Sequence, residues 1–162
     1  MFNPFQPLEK IKAEVYTSMP AKFRKKSRTD WSDPNRQGAE VECFLEGPSF
    51  DRAGNLWIVD IPFGRIFRIS PKQEWELIAQ YDGWPNGMKF HKDGRLFICD
   101  YKEGLLTLDP KTGKLENVLR IGDPPGAHEP AARLQHRHAL HADSLLVDPE
   151  VVVLKDDDRD LG

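Results

Sequence analysis

The feature that most constrains this chain is a single internal repeat. Gly47, Phe50, Gly54, Leu56, Ile58, Asp60 and Gly64 recur 40 residues later as Gly87, Phe90, Gly94, Leu96, Ile98, Asp100 and Gly104. Within each copy, a turn built on glycine (Arg52-Ala53-Gly54, Lys92-Asp93-Gly94) leads into a run of aliphatic, aromatic and β-branched residues, Asn55–Asp60 or Arg95–Asp100. That order is the signature of a hairpin. A second turn, Pro62-Phe63-Gly64 or Lys102-Glu103-Gly104, precedes a third strand at Arg65–Ile69 or Leu105–Leu108. A fourth follows at Glu74–Ile78 or Lys114–Leu119. Four short antiparallel strands per repeat, at this period, describe one blade of a β-propeller.

Two blades do not bury their own faces, because each blade packs on the next and rings close at about 4–8 blades. A third copy in register would place glycine, glycine and aspartate at positions held by Ala127, Leu134 and Leu140, so the repeat stops near Arg120. The expected fold is therefore all-β: a partial six-bladed propeller of two four-stranded antiparallel blades, with an N-terminal strand and a divergent, disordered tail. Three segments follow: 1–40, 41–120 for the two blades, and 121–162. In the first, Glu14-Val15-Tyr16-Thr17 reads as a strand that would close a ring by pairing with its last blade. In the third, Asp123-Pro124-Pro125-Gly126 breaks the pattern, and the charged end Lys155–Asp160 is of the kind that stays disordered.

Charge and composition exclude several partner classes. A net charge of −3 over 162 residues gives no global field for nucleic acid, and the cluster Lys22, Arg24, Lys25, Lys26 and Arg28 reads as a solvated loop. No apolar run reaches the ~18 residues of a membrane span, and the N-terminus lacks the basic start and apolar core of a signal peptide. A cytoplasmic location is expected. Cys43 and Cys99, both in predicted strands, are expected to be buried thiols outside any disulfide. His128, His136, His138 and His141 have no cysteine among them and match no common zinc spacing.

The chemically informative position is the one before the repeated glycine, held by Glu46 in the first copy and Asn86 in the second. Both are expected at the start of the innermost strand of neighbouring blades, facing the central channel. A carboxylate and an amide carbonyl are hard oxygen donors suited to Ca²⁺ or Mg²⁺. The alternative is that both residues merely cap turns beside Pro48 and Gly87.

The stretches Leu45–Asp51, Gly54–Ile61 and Gly64–Pro71, with their Glu46-Gly47-Pro48 opening, resemble the first blade of the senescence marker protein/gluconolactonase (luciferin-regenerating-enzyme-like) family. Asn86–Ile98 is similar to its second blade, especially in the staphylococcal-type and fungal lactonase branches. The resemblance covers residues 40–120, about half the chain. It implies a six-bladed hydrolase of lactones, gluconolactonase-like, converting an aldonolactone to an aldonic acid with a divalent metal in the channel. Ca²⁺ is the implied ion, with Mg²⁺, Mn²⁺ and Zn²⁺ as alternatives. By the same resemblance Glu46 is the first metal ligand, and Asn86 lines the channel or contacts substrate. The family's later ligands, an asparagine and an aspartate, have no counterpart after Arg120: Asn117 is the last asparagine, and Asp143 and Asp148 lie in no blade pattern. The expectation is a truncated, catalytically inactive relative of the lactonases. The competing reading is a non-enzymatic fragment that binds protein or self-associates through exposed blade edges, for example as three copies completing a six-blade ring.

Overall fold

The computed structural model describes residues 12–122, 144–147 and 150–155. Eleven strands dominate it. They are β1 (Lys12–Ser18), β2 (Leu45–Phe50), β3 (Leu56–Asp60), β4 (Arg65–Ile69), β5 (Trp75–Gln80), β6 (Pro85–Phe90), β7 (Leu96–Asp100), β8 (Gly104–Leu108), β9 (Leu115–Leu119), β10 (Ser144–Val147) and β11 (Glu150–Lys155). One helical turn, α1 (Ser32–Asn35), and two 3₁₀ turns, Ala21–Phe23 and Ile61–Phe63, are the helical elements described.

The repeat becomes two four-stranded antiparallel sheets, β2-β3-β4-β5 and β6-β7-β8-β9, each meandering in chain order. The first hairpin is held by Asp51. Its Oδ1 accepts from the amides of Ala53 and Asn55, both at 2.9 Å, while Oδ2 accepts from Asn55 Nδ2 at 2.8 Å and Trp57 Nε1 at 3.0 Å. An aspartate at this position turns the backbone by satisfying the amides that the strands leave unpaired.

The arrangement is propeller-like, and the sheets do not close a ring. The first sheet is covered on both faces. One face sends Trp57, Val59 and Ile66 against Met88, Leu96, Ile98, Leu106 and Leu108 of the second sheet. The opposite face sends Leu56, Ile58, Phe67, Ile69 and Trp75 against Met19, Cys43, Tyr16 and Phe23 of the N-terminal segment. All five residues of β3 are buried in consequence. Burying each such aliphatic or aromatic side chain contributes about 1.5–3 kcal/mol, which is why the strand reads as a continuous apolar run and not as an alternation.

Two expectations change. First, the repeat period is not constant through the copy: Asp60 pairs with Arg65, but Asp100 pairs with Gly104. The first turn holds one residue more, so the structural counterpart of Ile66 across the β3–β4 ladder is Leu105 and not Leu106. A one-residue slip reverses which face a strand residue occupies. Second, the tail was expected to be foreign and disordered, yet Ser144–Val147 and Glu150–Lys155 pair as an antiparallel hairpin. β11 also pairs with β1, Lys12 opposite Lys155 through Ser18 opposite Glu150, giving a third sheet of order β1-β11-β10. The N-terminal strand is thus present, and its partner is this hairpin. Leu145, Leu146 and Val151–Leu154 form short apolar runs with the β-branched content that favours strands, a signal outside the 40-residue pattern. The four tail histidines, Asp143, Asp148 and Asp156–Asp160 lie outside the described residues.

The cysteines divide. Neither is in a disulfide. Cys43 is buried, but in the segment before β2 and not within a strand. Cys99, expected to be buried, is exposed in β7 because it points away from the first sheet. The basic residues Lys22, Arg24, Lys25, Lys26 and Arg28 are exposed, and Arg24 and Arg28 bond to the Met19 carbonyl and to Asp33 within the chain. Among the described residues no helix is long and apolar enough to cross a membrane.

Candidate functional site

Glu46 and Asn86 are each the second residue of their strands, β2 and β6. These strands lie side by side at the junction of the two repeat sheets. Both positions coincide with irregularities in the ladder. In β2 the pairing shifts between Glu46 and Ser49, so Gly47 and Pro48 form a bulge. In β6 it shifts between Pro85 and Gly87, leaving Asn86 as the extra residue. Proline has no N–H to lose in such a bulge, and bulges re-aim the side chains beside them.

Gly47 makes the approach possible. It sits at φ +62°, and a Cβ there would lie 2.3 Å from the Asn86 carbonyl oxygen. With the backbones that close, the Asn86 side chain reaches the Glu46 carboxylate. Glu46 is half-buried. Burial raises its pKa above the ordinary carboxylate value, and the Asn86 hydrogen bond opposes that rise in part. The two residues singled out by spacing are therefore brought into contact.

Asp60 and Asp100 enter the sequence analysis only as members of the repeat, and how they anchor this corner was not foreseen. Asp60, fully buried, accepts from the Phe44 amide at 2.7 Å, just ahead of β2, and from Arg65 Nε at 2.7 Å. Arg65 also donates to the Phe23 carbonyl at 2.6 Å, tying in the N-terminal segment. Asp100 accepts from the Tyr81 hydroxyl at 2.8 Å and from the amides of Lys102 and Glu103 at 2.7 and 2.9 Å. Burial and the adjacent Asp100 carboxylate raise the Tyr81 pKa far above the ordinary phenol value, so Tyr81 remains a donor. The signal available beforehand was the exact recurrence of the two aspartates.

A second unforeseen feature is an ion network. Lys102 Nζ bridges Asp30 at 2.5 Å and Asp82 at 2.7 Å, and lies 5.1 Å from the Trp84 ring centre. It fastens the N-terminal segment, through Asp30, to the second sheet and to Asp82, four residues ahead of Asn86. The hydrogen bond from Lys102 lowers the Asp30 pKa, and the bonds to Asp30 and Asp82 raise that of Lys102.

Among the described residues no group of three or more His, Cys, Asp or Glu side chains could hold a metal ion. Glu46 and Asn86 match the donor chemistry of a hard divalent cation, but two side chains fall short of the roughly 6–8 oxygens that calcium takes. A groove of about 290 Å³ between the sheets is lined by Asp51, Trp57, Arg68, Glu76 and Pro110–Gly113, and includes neither candidate residue.

No family model matches the chain. Curated proteins do. The chain is 32% identical over 96 residues to lactonase drp35 of Staphylococcus aureus strain USA300, a match covering 55% of this chain and 28% of that protein. With the same protein from strain MRSA252 the identity is 38% over 96 residues. With lactonase drp35 of Staphylococcus epidermidis it is 28% over 127 residues, covering 74% of this chain and 39% of that protein. The chain is a distant homologue of lactonase drp35. It spans between about a quarter and two fifths of the length of these relatives, so the similarity supports a lactonase-like relationship for the repeat region.

Proposed function

We propose that the chain carries part of a metal-dependent lactone hydrolase of the gluconolactonase type, acting in the full site on an aldonolactone to give the aldonic acid. The observation that carries the reading is the contact between Glu46 and Asn86 at the junction of the two sheets, within the region similar to lactonase drp35. In this reading Glu46 is a ligand to a divalent ion, with Ca²⁺ the best fit to its hard donors and Mg²⁺, Mn²⁺ and Zn²⁺ as alternatives. Such an ion, when bound, polarises the lactone carbonyl as a Lewis acid.

The chain's own groups do the positioning. In this reading the Asn86 amide steadies the Glu46 carboxylate and offers its carbonyl oxygen as a second polar contact for ion or substrate. Partial burial removes water from the carboxylate and strengthens its attraction for a cation. Gly47 keeps the two strands close enough for both. Because the described residues supply an incomplete ligand set, a single copy is proposed to be a negligible catalyst. The unbridged cysteines accord with a reducing, cytoplasmic setting.

The test is calcium titration calorimetry on the 162-residue chain, with δ-gluconolactone hydrolysis followed in parallel. Weak binding that Glu46→Gln removes and Asn86→Ala reduces is the expected result. Calcium binding of unchanged strength in Glu46→Gln would overturn the assignment of Glu46.

A further inference from the structure

We propose that Lys102 is a positioning residue for the Glu46–Asn86 pair: through Asp30 it seats Trp31 as a wedge that sets how β2 lies against β6. What the wedge does for a bound cation rests on the functional reading above; the wedge itself rests on contacts.

The repeat supplies the frame. Phe44 and Trp84, equivalent in the 40-residue spacing, stand immediately ahead of β2 and β6 and two residues ahead of Glu46 and Asn86. Their carbonyls make the same bond, accepting from the amides of Ile61 and Tyr101, each at 3.1 Å, where the neighbouring strand ends. Each aromatic residue is thus tied to its own sheet. That bond does not tie one sheet to the other.

Two consecutive residues of the N-terminal segment do so. Trp31 packs on Phe44 with ring centres 4.9 Å apart, and Arg36 lies 5.1 Å from the same ring. One residue earlier, Asp30 accepts from Trp84 Nε1 at 3.4 Å through Oδ1 and from Lys102 Nζ at 2.5 Å through Oδ2. Lys102 lies 5.1 Å from the Trp84 ring centre and donates also to Asp82 at 2.7 Å. Asp30 and Trp31 therefore grip the second and the first sheet at matching places. Trp31 is buried in the cluster that joins the sheets, with Val59 and Ile66 of one and Met88 of the other.

The turn that presents these two residues is held locally. The Thr29 amide donates to Ser32 Oγ at 2.9 Å and the Ser32 amide to Thr29 Oγ1 at 3.1 Å, a reciprocal cap, while Asn35 Nδ2 donates to the Trp31 carbonyl at 2.8 Å. With the turn preformed, the place of Trp31 depends on what fastens the turn to the sheets. Lys102 is the charged group that does this, touching Asp30 on one side and Trp84 and Asp82 on the other. The two carboxylates are 60% and 93% exposed, so their ion pairs add little to folding. A binding pair, by contrast, must be held to within about 0.5 Å, so a small displacement of the wedge is felt there first.

The test is two-dimensional NMR on the isotope-labelled 162-residue chain, reading the nuclear Overhauser contact between the Asn86 side-chain amide and the Glu46 methylenes, with calcium titration calorimetry in parallel. In Lys102→Met the contact should be lost and calcium affinity should fall about tenfold, while the urea midpoint moves by no more than about 1 M. Lys102→Arg should restore both. Asp30→Asn should act as Lys102→Met does, and the two substitutions together should do no more than either alone. A contact that persists in Lys102→Met, a Lys102→Arg chain that does not recover it, additive losses in the double variant, or absence of the contact from the native chain would each overturn the proposal. Unfolding of both single variants would overturn it too, since the role would then be structural. Calcium that fails to bind the native chain refutes Glu46 as a ligand, and the contact measured without calcium still decides the role of Lys102.

Discussion

Gly47 and Gly87 occupy equivalent places in the repeat, and the structure assigns them opposite fates on substitution by alanine. Gly47 has φ +62°, where an L side chain costs about 1–2 kcal/mol, and its new Cβ would meet the Asn86 carbonyl oxygen at 2.3 Å. That contact involves backbone on both sides and cannot be relieved by a rotamer change, so an overpacking cost of about 1–3 kcal/mol adds to the first. Gly47→Ala should therefore lose about 2–5 kcal/mol. Gly87 does not have a positive φ, and a Cβ there meets nothing within 4 Å. Gly87→Ala should be neutral or gain up to about 1 kcal/mol by restricting the unfolded chain. Urea unfolding followed by tryptophan fluorescence, at one protein concentration, separates the two. With a slope of about 2 kcal/mol per molar for a chain of this size, the Gly47→Ala midpoint should fall by about 1–2.5 M and that of Gly87→Ala should hold. Equal midpoints for the two variants would refute the close approach of β2 to β6, and with it the contact between Glu46 and Asn86.

Two further outcomes follow from buried charge. Asp60→Asn leaves Arg65, only 6% exposed, without its ion partner and should cost about 3–5 kcal/mol, whereas the paired replacement Asp60→Leu with Arg65→Met should cost less than the single change; urea midpoints of the two variants decide this. Glu46 has a folded-state pKa raised by burial, so the folded chain holds its proton to higher pH than the unfolded one. Its contribution to stability falls as pH rises from the unfolded carboxylate value, about 4.3, through the raised value. Glu46→Gln should accordingly be more stable than the native chain at pH 7 and lose that advantage below about pH 4, as thermal unfolding across the two pH values would reveal. A Glu46→Gln chain less stable than native at pH 7 would contradict the burial of the carboxylate.

The elements that depend on local chemistry were legible along the chain. Alternating turns and apolar runs at a 40-residue spacing place eight strands, because glycine-bearing turns and β-branched runs act within a few residues of themselves. The same spacing put Glu46 and Asn86 at equivalent strand positions, and their proximity followed once neighbouring repeats were taken to stack side by side. Contacts between distant segments set what spacing could not carry. Cys99 is exposed and Val59 buried at equivalent positions, since burial depends on whether another sheet stands opposite. Asp60 meets Arg65 whereas Asp100 meets Tyr81, since the residue across the ladder from Asp100 is Gly104, which has no side chain to offer, and Tyr81 from ahead of β6 supplies the donor. The pairing of β1 with β11 joins residues more than a hundred positions apart. No periodicity encodes that contact, because strand pairing over such a distance is selected by the surface that the intervening sheets present.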